Sequence, residues 1–356
     1  MNEILKKQID FPKKLLRWHS ENNRQMPWKE TTDPYKIWLS EIILQQTRVE
    51  QGLPYYLEIV KKFPNVKDLA LAPEDEVMKV WQGLGYYTRA RNMHAAAKQI
   101  MQEYDGIFPE TYKTILSLKG VGPYSAAAIS SFSFNLAYAV LDGNVFRVLS
   151  RIFGIALPVD SSEGKKVFAE TAHELLDKKN PAAYNQAIMN FGALICRPLN
   201  PDCLNCVFKR DCYAFNNGTI PLFPFKQKKV KVKNRWFNYV VISNGEEVFI
   251  ERRNQNDIWQ GLYQFPLIET NTYKNITQFK KILKSQSFLG GKDFTLRTVS
   301  DIVKHKLTHQ RISVQFLKAE TDFVKGNSWW LSVKKNDLQR YAFPKVIANY
   351  IENSLY

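Results

Sequence analysis

Four cysteines are crowded into one short segment, in the spacing Cys196-x6-Cys203-x2-Cys206-x5-Cys212. Thiolates this close in sequence are typical ligands of zinc or of a 4Fe–4S cluster. The chain has only these four cysteines, so none is left for the dispersed disulfides of a secreted protein. The spacing therefore predicts a metal centre in an intracellular protein, and the spacing alone leaves zinc and iron–sulfur both open.

Glu41 is an acid on the apolar side of a predicted helix, which starts with Asp33 as cap and Pro34 as first residue and runs to Arg48. Its neighbours one turn away are Ile37, Trp38 and Leu44. A carboxyl packed against such side chains has a pKa above the ordinary value of about 4.3, so it can hold a proton near neutral pH. If those neighbours face elsewhere, Glu41 is an ordinary solvated residue.

Asp142 directly precedes Gly143-Asn144 and a predicted helix at 143–153. An aspartate at this position is most often an N-cap, and here it would also hold a carboxylate at the mouth of a cleft. Some twenty residues earlier, Gly120-Val-Gly122 joins two predicted helices at 109–118 and 123–134. Such a corner exposes backbone N–H groups that attract phosphate, although an ordinary helical hairpin explains two glycines equally well.

The elements that position these residues change in type along the chain. The first 215 residues contain little that resembles a strand and form an all-α half. Besides the helices already given, it includes an amphipathic run over 4–18 and helices at 54–63, 73–81, 89–103, 164–176 and 181–195. Beyond a basic linker at 217–235, strands are predicted at 239–242, 247–250, 313–317 and 329–331, with a helix at 279–285. The second half is therefore α+β.

The net charge of the chain is +16 and its isoelectric point is near 9.5. This balance predicts a polyanionic partner, with nucleic acid favoured over an anionic membrane surface. At 356 residues and 45% hydrophobic composition the chain can fold into two or three domains. It has no run of transmembrane length and no secretion signal at its start. We therefore expect a protein inside the cell that is not membrane-bound.

Taken together, the motifs resemble those of the MutY-type adenine DNA glycosylases, within the endonuclease III-like helix-hairpin-helix superfamily. The matching stretches cover nearly the whole chain and are Arg24-x-Met-Pro-Trp28, Ser40-Glu-Ile-Ile-Leu-Gln-Gln-Thr47, Gly83-Leu-Gly-Tyr-Tyr87, Gly120-Val-Gly-Pro-Tyr124, Leu141-Asp-Gly-Asn-Val145 and the cysteine loop. The resemblance implies an all-α helix-hairpin-helix region over 1–216, comprising a six-helix module and an iron–sulfur module at 196–212. A Nudix-like α+β domain over 236–356 would follow.

The family removes adenine mispaired with 8-oxoguanine, and the resemblance assigns catalytic roles to four residues. Glu41 would be the general acid that protonates the departing adenine, and Asp142 would stay ionised opposite the developing oxocarbenium ion. Asn144 would support the sugar or the water network, and Tyr124 would hydrogen-bond near Asp142. In the endonuclease III family a lysine occupies the position of Tyr124 and cuts the strand, so the tyrosine favours a monofunctional glycosylase.

By the same resemblance, further residues would contact DNA or the extruded base. They are Arg24, Met26, Trp28, Leu44, Gln45, Gln46, Tyr86, Gly120, Gly122 and Gln186. Trp28 and Tyr86 could equally be core aromatics. In the C-terminal half, Leu307-Thr308-His309 occupies the place of a Phe-Ser-His loop that reads 8-oxoguanine in the family, whereas a lone His309 is more often a surface residue. The acidic magnesium-binding helix of Nudix hydrolases is missing from the sequence.

The resemblance implies a 4Fe–4S cluster that positions the loop for phosphate contact. It also implies a monomer acting on double-stranded DNA with an adenine:8-oxoguanine or adenine:guanine mispair, cytoplasmic and associated with the nucleoid. Two other hypotheses remain open from the sequence. One is an endonuclease III-like glycosylase/lyase acting on oxidised pyrimidines, and the other is a non-catalytic iron–sulfur protein that binds DNA.

Overall fold

The structure of the protein is a computed structural model, which describes residues 10–22, 25–227, 232–254, 256–285, 295–321 and 330–355. The chain divides into two compact units. A helical unit takes in Met1–Leu71 and Asn92–Lys229, and an α+β unit takes in Ala72–Arg91 and Val230–Tyr356. The assignment of 72–91 to the second unit differs from the predicted boundaries, which placed this segment in the first domain.

Helices dominate the first 216 residues, and no strand occurs among the residues described there. In chain order the helices are α1 (Phe11–Glu21), α2 (Pro34–Ile43), α3 (Val49–Lys62), α4 (Val66–Leu71), α5 (Glu74–Val80), α6 (Thr88–Glu103), α7 (Tyr112–Leu116), α8 (Pro123–Phe134), α9 (Gly143–Phe153), α10 (Ser162–Leu175), α11 (Pro181–Leu194) and α12 (Tyr213–Asn216). The prediction of an all-α first half is confirmed.

Local signals set the bounds of α8 and α9, which match the prediction at both ends. Pro123 supplies the fixed φ of a first helical residue, and Asn135 ends α8 in the left-handed region. Asp142 caps α9, and Gly154 ends it with φ of 67°. Helix α2 ends at Ile43 and does not reach Arg48 as predicted, because the chain turns there and Gln46 takes φ of 56°.

The core of the helical unit joins α1 to helices much later in the chain. Phe11 stacks on Phe208, with ring centroids 4.7 Å apart, and Phe208 meets Phe191 of α11 edge-on at 5.3 Å. Phe208 lies between the last two cysteines and has no exposed surface. Its burial fixes the cysteine segment to the helical core.

The strands of the α+β unit form a mixed sheet in which two long strands are neighbours. The strands are β1 (Lys233–Asn244), β2 (Glu247–Arg252), β3 (Tyr263–Gln264), β4 (Leu267–Thr270), β5 (Thr295–Val299), β6 (Val303–Lys306), β7 (Gln310–Glu320) and β8 (Leu331–Lys334). Helices α13 (Ile276–Ser285) and α14 (Lys345–Ser354) belong to the same half. Strands β1 and β7 pair in parallel, and the other pairings are antiparallel. The α+β prediction is confirmed.

The predicted linker at 217–235 is structured at both ends. Phe223 is buried in the helical core, and the backbone N–H of Gln227 donates to the Asp160 carboxylate at 2.8 Å. At the other end, residues 233–235 already belong to β1. Residues 228–231, in the middle of the basic run, lie outside the described residues, as do Arg24, Trp329 and the first part of the amphipathic run at 4–18.

Across the described ranges, the helices are too short or too polar to cross a membrane.

Candidate active site

A cavity of about 220 Å³ opens within the helical unit, where α2, α8, α9 and α11 meet. Eight of the predicted site residues line it: Met26, Trp28, Glu41, Leu44, Tyr124, Asp142, Asn144 and Gln186. Other lining residues include Lys29, Ser40, Thr47, Met189 and Asn190. Side chains from five separate stretches of sequence thus converge on one cavity.

Glu41 lies on α2, whose residues are nearly all buried, and only 7% of Glu41 is exposed. Burial disfavours the charged carboxylate and raises the pKa of Glu41 to about 7, and the nearby Asp142 adds to the shift. A hydrogen bond from the Tyr124 hydroxyl acts in the opposite direction. At neutral pH, therefore, a substantial share of Glu41 carries a proton.

Asp142 faces the same cavity from the start of α9. Its Oδ1 accepts hydrogen bonds from the backbone N–H groups of Asn144 and Val145 at 2.9 and 2.8 Å. Its Oδ2 accepts one from the Asn144 side-chain amide at 2.7 Å. Burial raises the pKa of Asp142, whereas these bonds and the positive charge of Arg147 favour its ionised form. With three donors against one for Glu41, Asp142 is the better placed of the two to carry the charge.

Arg147 supports this arrangement from one turn further along α9. Its Nη2 donates to Asn144 Oδ1 at 2.9 Å and to the carbonyl of Gly192 at 2.7 Å. Its Nε donates to the carbonyl of Cys196 at 2.6 Å. A buried guanidinium thus connects the residue that orients Asp142 to the first cysteine.

The hairpin between α7 and α8 contains two glycines with different constraints. Gly120 has φ of 77°, and a Cβ there would lie 2.6 Å from the Cβ of Asn92, so the fold itself requires glycine. Gly122 is extended and caps α8, and a Cβ there would have no neighbour within 4 Å. The first N–H groups of a helix lack partners within the helix, so the open space beside Gly122 would suit an anionic ligand there.

The cysteine segment is fixed to α9 by Arg151, which is almost fully buried. Its Nη1 donates to Cys196 Sγ at 3.6 Å and to the carbonyl of Arg197 at 2.8 Å. Cys212 Sγ in turn donates to the carbonyl of Arg151 at 3.4 Å. Both ends of the segment therefore meet the same residue of the helix.

Burial raises the pKa of Cys206 to about 12 and that of Cys212 to about 11, and the other thiols of the group add to both shifts. Backbone N–H groups of Phe208 and Phe215 point at these two sulfurs and favour their thiolate forms. The four thiols are near enough to act on one another electrostatically. Thiols with N–H donors suit a metal centre, because a bound metal would stabilise the thiolate forms that burial disfavours. Within the described residues, no three acidic, histidine or cysteine side chains are close enough to share a single ion.

The α+β unit has its own cavity of about 410 Å³, which brings together four other predicted residues. Leu307, Thr308 and His309 form the turn between β6 and β7 and lie on its wall, together with Tyr86 and Trp259. Tyr86 has φ of 50°, its side chain is about half exposed, and its hydroxyl lies 2.8 Å from the Thr308 hydroxyl. These side chains form a rim of aromatic and hydroxyl groups.

Gln45 and Gln46 lie outside the first cavity, in the turn after α2. The side chain of Gln45 donates to the Ser125 hydroxyl at 3.1 Å, beside the start of α8, and Gln46 is exposed. Arg24 lies outside the described residues. Lys29, Arg147 and Arg151 were not among the residues predicted from the sequence. The four-residue spacing of the two arginines on the helix after Asp142 was the available signal for them.

Comparison with known families places two matches on the chain. Residues 39–175 match the HhH-GPD superfamily base excision DNA repair protein family, and residues 238–353 match the NUDIX domain family. The first match contains Glu41, the hairpin and Asp142, and the second contains the Leu307-Thr308-His309 turn.

Several curated proteins are similar to the chain over most of its length. The adenine DNA glycosylase of Buchnera aphidicola subsp. Baizongia pistaciae is 36% identical over 307 residues, which is 84% of this chain and 83% of that protein. The human adenine DNA glycosylase is 37% identical over 213 residues, 57% of this chain and 39% of that protein. Among solved structures, a thermostable thymine-DNA glycosylase is 29% identical, with a TM-score of 0.54 over 58% of this chain and 95% of that one. Endonuclease III in a non-covalent DNA complex shares the fold, at 19% identity and a TM-score of 0.53 over 60% of this chain and 97% of that one.

Proposed function

The chain belongs to the adenine DNA glycosylase family of base-excision-repair enzymes, and from this premise we propose that it hydrolyses the N-glycosidic bond of adenine mispaired with 8-oxoguanine or guanine, without cutting the strand. The observation that carries the proposal is the shared cavity of Glu41 and Asp142. The pKa of Glu41 is raised to about 7, close to neutral pH, and the carboxylate of Asp142 accepts three hydrogen bonds.

Glu41 is the proposed general acid. Adenine leaves poorly as an anion, so a proton delivered to its N7 lets the bonding electrons pass to a neutral base. An acid works best when its pKa lies near the working pH, and the value of about 7 for Glu41 meets this condition. Tyr124 and Met189, whose hydroxyl and sulfur lie 3.8 Å apart, close the space beside the acid.

Asp142 is the proposed anion that stabilises the positive sugar left behind. As the bond between C1′ and N9 breaks, charge develops on the sugar ring, and a fixed carboxylate nearby lowers the energy of that state. Water, or the carboxylate followed by water, then adds to C1′ and leaves an abasic site. Asn144 holds the Asp142 carboxylate through two hydrogen bonds, so its role is to orient the anion.

The proposal of a monofunctional enzyme rests on Tyr124. A phenol held at a pKa far above 10 by burial and by the nearby Glu41 and Asp142 is a poor nucleophile toward an abasic sugar. It also cannot form the Schiff base with which an amine would start strand cleavage. We therefore expect strand breaks only after alkali treatment.

The cavity of the α+β unit is the proposed reader of the base opposite adenine. Leu307 supplies an apolar contact, while Thr308 and His309 supply hydrogen-bonding groups beside the Tyr86 ring. The N–H at N7 and the carbonyl at C8 distinguish 8-oxoguanine from guanine, so donors and acceptors at this rim could tell them apart. The Nudix-like fold has no glutamate in α13, so the domain would bind and not hydrolyse.

Cys196, Cys203, Cys206 and Cys212 are the proposed ligands of a 4Fe–4S cluster. When bound, the cluster would fix the loop and its neighbouring cations for phosphate contact. A brown protein that absorbs broadly in the violet-blue region, and loses this absorbance in Cys206→Ser, would support iron–sulfur. A colourless protein with one bound zinc per chain would exclude it.

We further propose that the enzyme works as a monomer on double-stranded DNA in the cytoplasm, at the nucleoid. Its catalytic domain would span 1–216, with a connection at 217–235 and the reading domain at 236–356. The strong positive charge predicts binding that weakens steeply with salt.

The test compares duplexes that differ only in the base opposite a single adenine. We expect free adenine and an abasic site from adenine:8-oxoguanine and adenine:guanine, and none from adenine:thymine. Release of an oxidised pyrimidine with a borohydride-trapped protein adduct, in the absence of adenine release, would favour a glycosylase/lyase. Binding without release of any base would favour a non-catalytic DNA-binding protein.

A further inference from the structure

One buried guanidinium in the α+β unit joins two of the segments that line its cavity. Arg235 lies at the start of β1, and its side chain is only 8% exposed. Its Nη1 donates to Asp257 Oδ1 at 2.9 Å and to Gln310 Oε1 at 3.1 Å. Asp257 and Gln310 both line the cavity, although 53 residues separate them in sequence.

The guanidinium has no donor to spare. Nη2 also donates to Asp257 Oδ2 at 2.7 Å, and Nε and Nη2 donate to the two oxygens of Glu269 on β4, both at 2.7 Å. All five N–H groups of Arg235 are therefore used, in two bidentate pairs and one single bond. The face of the group also lies over the Phe237 ring, 4.6 Å from its centroid. Such a site fixes both the position and the plane of the arginine.

The turn that bears Thr308 is held by this corner of the sheet. Leu307 and Gln310 exchange backbone hydrogen bonds across the turn, and the Lys233 N–H donates to the carbonyl of His309 at 2.9 Å. The side-chain bond from Arg235 to Gln310 adds a second tie from β1 to the same turn. The turn is thus anchored by β1 on its backbone and on its last side chain.

The second lining segment, which contains Asp257, Ile258 and Trp259, depends on the same arginine through Asp257. Asp257 Oδ2 also accepts a bond from Arg253 Nη2 at 2.5 Å, and Arg253 Nε donates to the carbonyl of Ile258 at 2.7 Å. Trp259, next in the chain, has φ of 60°, a conformation that costs a non-glycine residue energy. Its ring is buried edge-on against Phe237 and His305. The ion pairs therefore hold Trp259, in its strained conformation, on the wall of the cavity that the turn also lines.

We propose that Arg235 is a positioning residue for partner-base discrimination, because it fixes the distance between the Trp259 wall and the Thr308 turn. The inference rests on the proposed function of the cavity and deepens it. Arg235 does not line the cavity, so its effect must pass through Asp257 and Gln310. Hydrogen-bond discrimination between two purines that differ at one edge requires a rim held to a fraction of an ångström.

The central test is Arg235→Lys in the full chain. Lysine keeps the charge but cannot satisfy two carboxylates and an amide in one plane. We expect the preference for adenine:8-oxoguanine over adenine:guanine, measured as the ratio of kcat/KM, to fall about tenfold, the size of one well-placed hydrogen bond. Adenine release from adenine:guanine should change little. The matched control is Arg297→Lys, an exposed arginine paired with Glu320 on the same sheet, for which the ratio should be unchanged.

Glu269→Gln is a second, milder variant that keeps the test decisive if Arg235→Lys does not fold. It lies on β4 outside the cavity and keeps an acceptor for Arg235, so it should fold and lower the ratio less than Arg235→Lys does. A double variant gives a further check, because Thr308→Ala removes the hydroxyl through which the turn reads the base. If Arg235 acts through this turn, Arg235→Lys will lower the ratio little further in the Thr308→Ala background.

The outcomes separate this inference from the function beneath it. A wild-type protein that releases no adenine from either duplex would overturn the proposed function and the inference with it. A wild type that prefers 8-oxoguanine, together with a folded Arg235→Lys protein of unchanged preference, would overturn the inference alone. Fully additive losses in the double variant would show that Arg235 does not act through the turn.

Discussion

Glu41 in the helical unit and Asp257 in the α+β unit are acids withdrawn from water whose pKa values move in opposite directions. Burial raises the pKa of Glu41 to about 7, with one phenol as its hydrogen-bond partner. Burial would also raise the pKa of Asp257, but the hydrogen bonds and charges of Arg235 and Arg253 bring it down to about 2. The two pKa values differ because Asp257 has two arginine partners, whereas Glu41 has one phenol and, in the part of the chain that the structure describes, no cation.

This difference separates a reactive site from a positioning site. A carboxyl without a cation keeps its proton close to neutrality, so it can give that proton away and take it back. A carboxyl locked between two guanidinium groups cannot change its protonation state at neutral pH, so it can only hold its neighbours in place. In the helical unit, Glu41 has no cationic partner among the described residues at the site where catalysis is proposed. In the α+β unit, Asp257 is paired with two arginines at the site where base recognition is proposed.

Replacement of Glu41 should reduce activity more than any other substitution proposed for this protein. Glu41→Gln keeps the shape of the side chain but cannot deliver a proton, so adenine release should fall by about 10²–10⁴-fold, the usual contribution of general acid catalysis. Single-turnover release of adenine from a mispaired duplex measures the change. The control is Glu58→Gln, an exposed glutamate on α3, which should retain the wild-type rate. Full activity in Glu41→Gln would remove the acid from the mechanism.

The pH profile tests the same assignment in the unaltered protein. The acid must be protonated to act and its pKa is raised to about 7, so the rate should fall about tenfold per pH unit well above that value. On the acid side, the rate should decline as Asp142 gains a proton, at a pH above the ordinary range of aspartate. A rate that stays level from pH 7 to pH 9 would contradict the acid role of Glu41.

Asp257→Asn should lower the stability of the α+β unit and leave the proposed catalytic cavity of Glu41 and Asp142 intact. The wild-type pKa lies below the ordinary value of 3.8, so Asp257 stabilises the fold above that value and loses this contribution as pH falls toward about 2. Because a quarter of the side chain is exposed, we expect a loss of only about 1–2 kcal/mol of unfolding free energy at pH 7. Urea unfolding at pH 7 and pH 3 measures it. The variant and the wild type should differ less at the lower pH, and an equal difference at both would argue against the ion pair.

The sequence predicts the local parts of this structure and not the contacts between distant parts. Helices α8 and α9 match the prediction because a proline, a capping aspartate and left-handed end residues lie within each segment. The placement of Glu41 on a buried face also follows from local periodicity. The end of α2 was missed because Gln46 turns into the left-handed region without a glycine to signal it.

Arg235 illustrates what local signals cannot supply. It follows a basic run at 226–233 that resembles a solvated connection, so the sequence predicted it to be the last residue of a linker. In the structure its partners are Asp257, Glu269 and Gln310, which lie 22, 34 and 75 residues away. Only the parallel pairing of β1 with β7 brings Gln310 beside it. Arg147 was missed for the same reason, because its carbonyl partners lie 45 and 49 residues away.

The two glycines of the hairpin extend the comparison from side chains to the backbone. Gly120→Ala should lower the unfolding free energy by about 1 kcal/mol or more, because of the positive φ and the close approach of Asn92. Gly122→Ala should leave stability unchanged, since nothing lies near the added methyl group. It should instead weaken DNA binding if phosphate approaches the N–H groups at α8. Thermal unfolding and salt-dependent DNA binding separate the two, and equal losses of stability would mean that both glycines serve the fold.

Loss of the Tyr124 hydroxyl should have only a small effect, through the pKa of Glu41. The Tyr124 hydroxyl donates to Glu41 and favours its ionised form, so Tyr124→Phe should raise the pKa of Glu41 further. The alkaline limb of the pH–rate profile should therefore move to higher pH, by less than about one unit, while the rate at the optimum falls only a few-fold. If burial alone set the pKa of Glu41, the alkaline limb would not move when the Tyr124 hydroxyl is removed. If the alkaline limb moved to lower pH instead, the phenol of Tyr124 would stabilise the protonated form of Glu41. Of the two polar neighbours of Glu41, Asp142 alone would then act on its pKa in the expected direction.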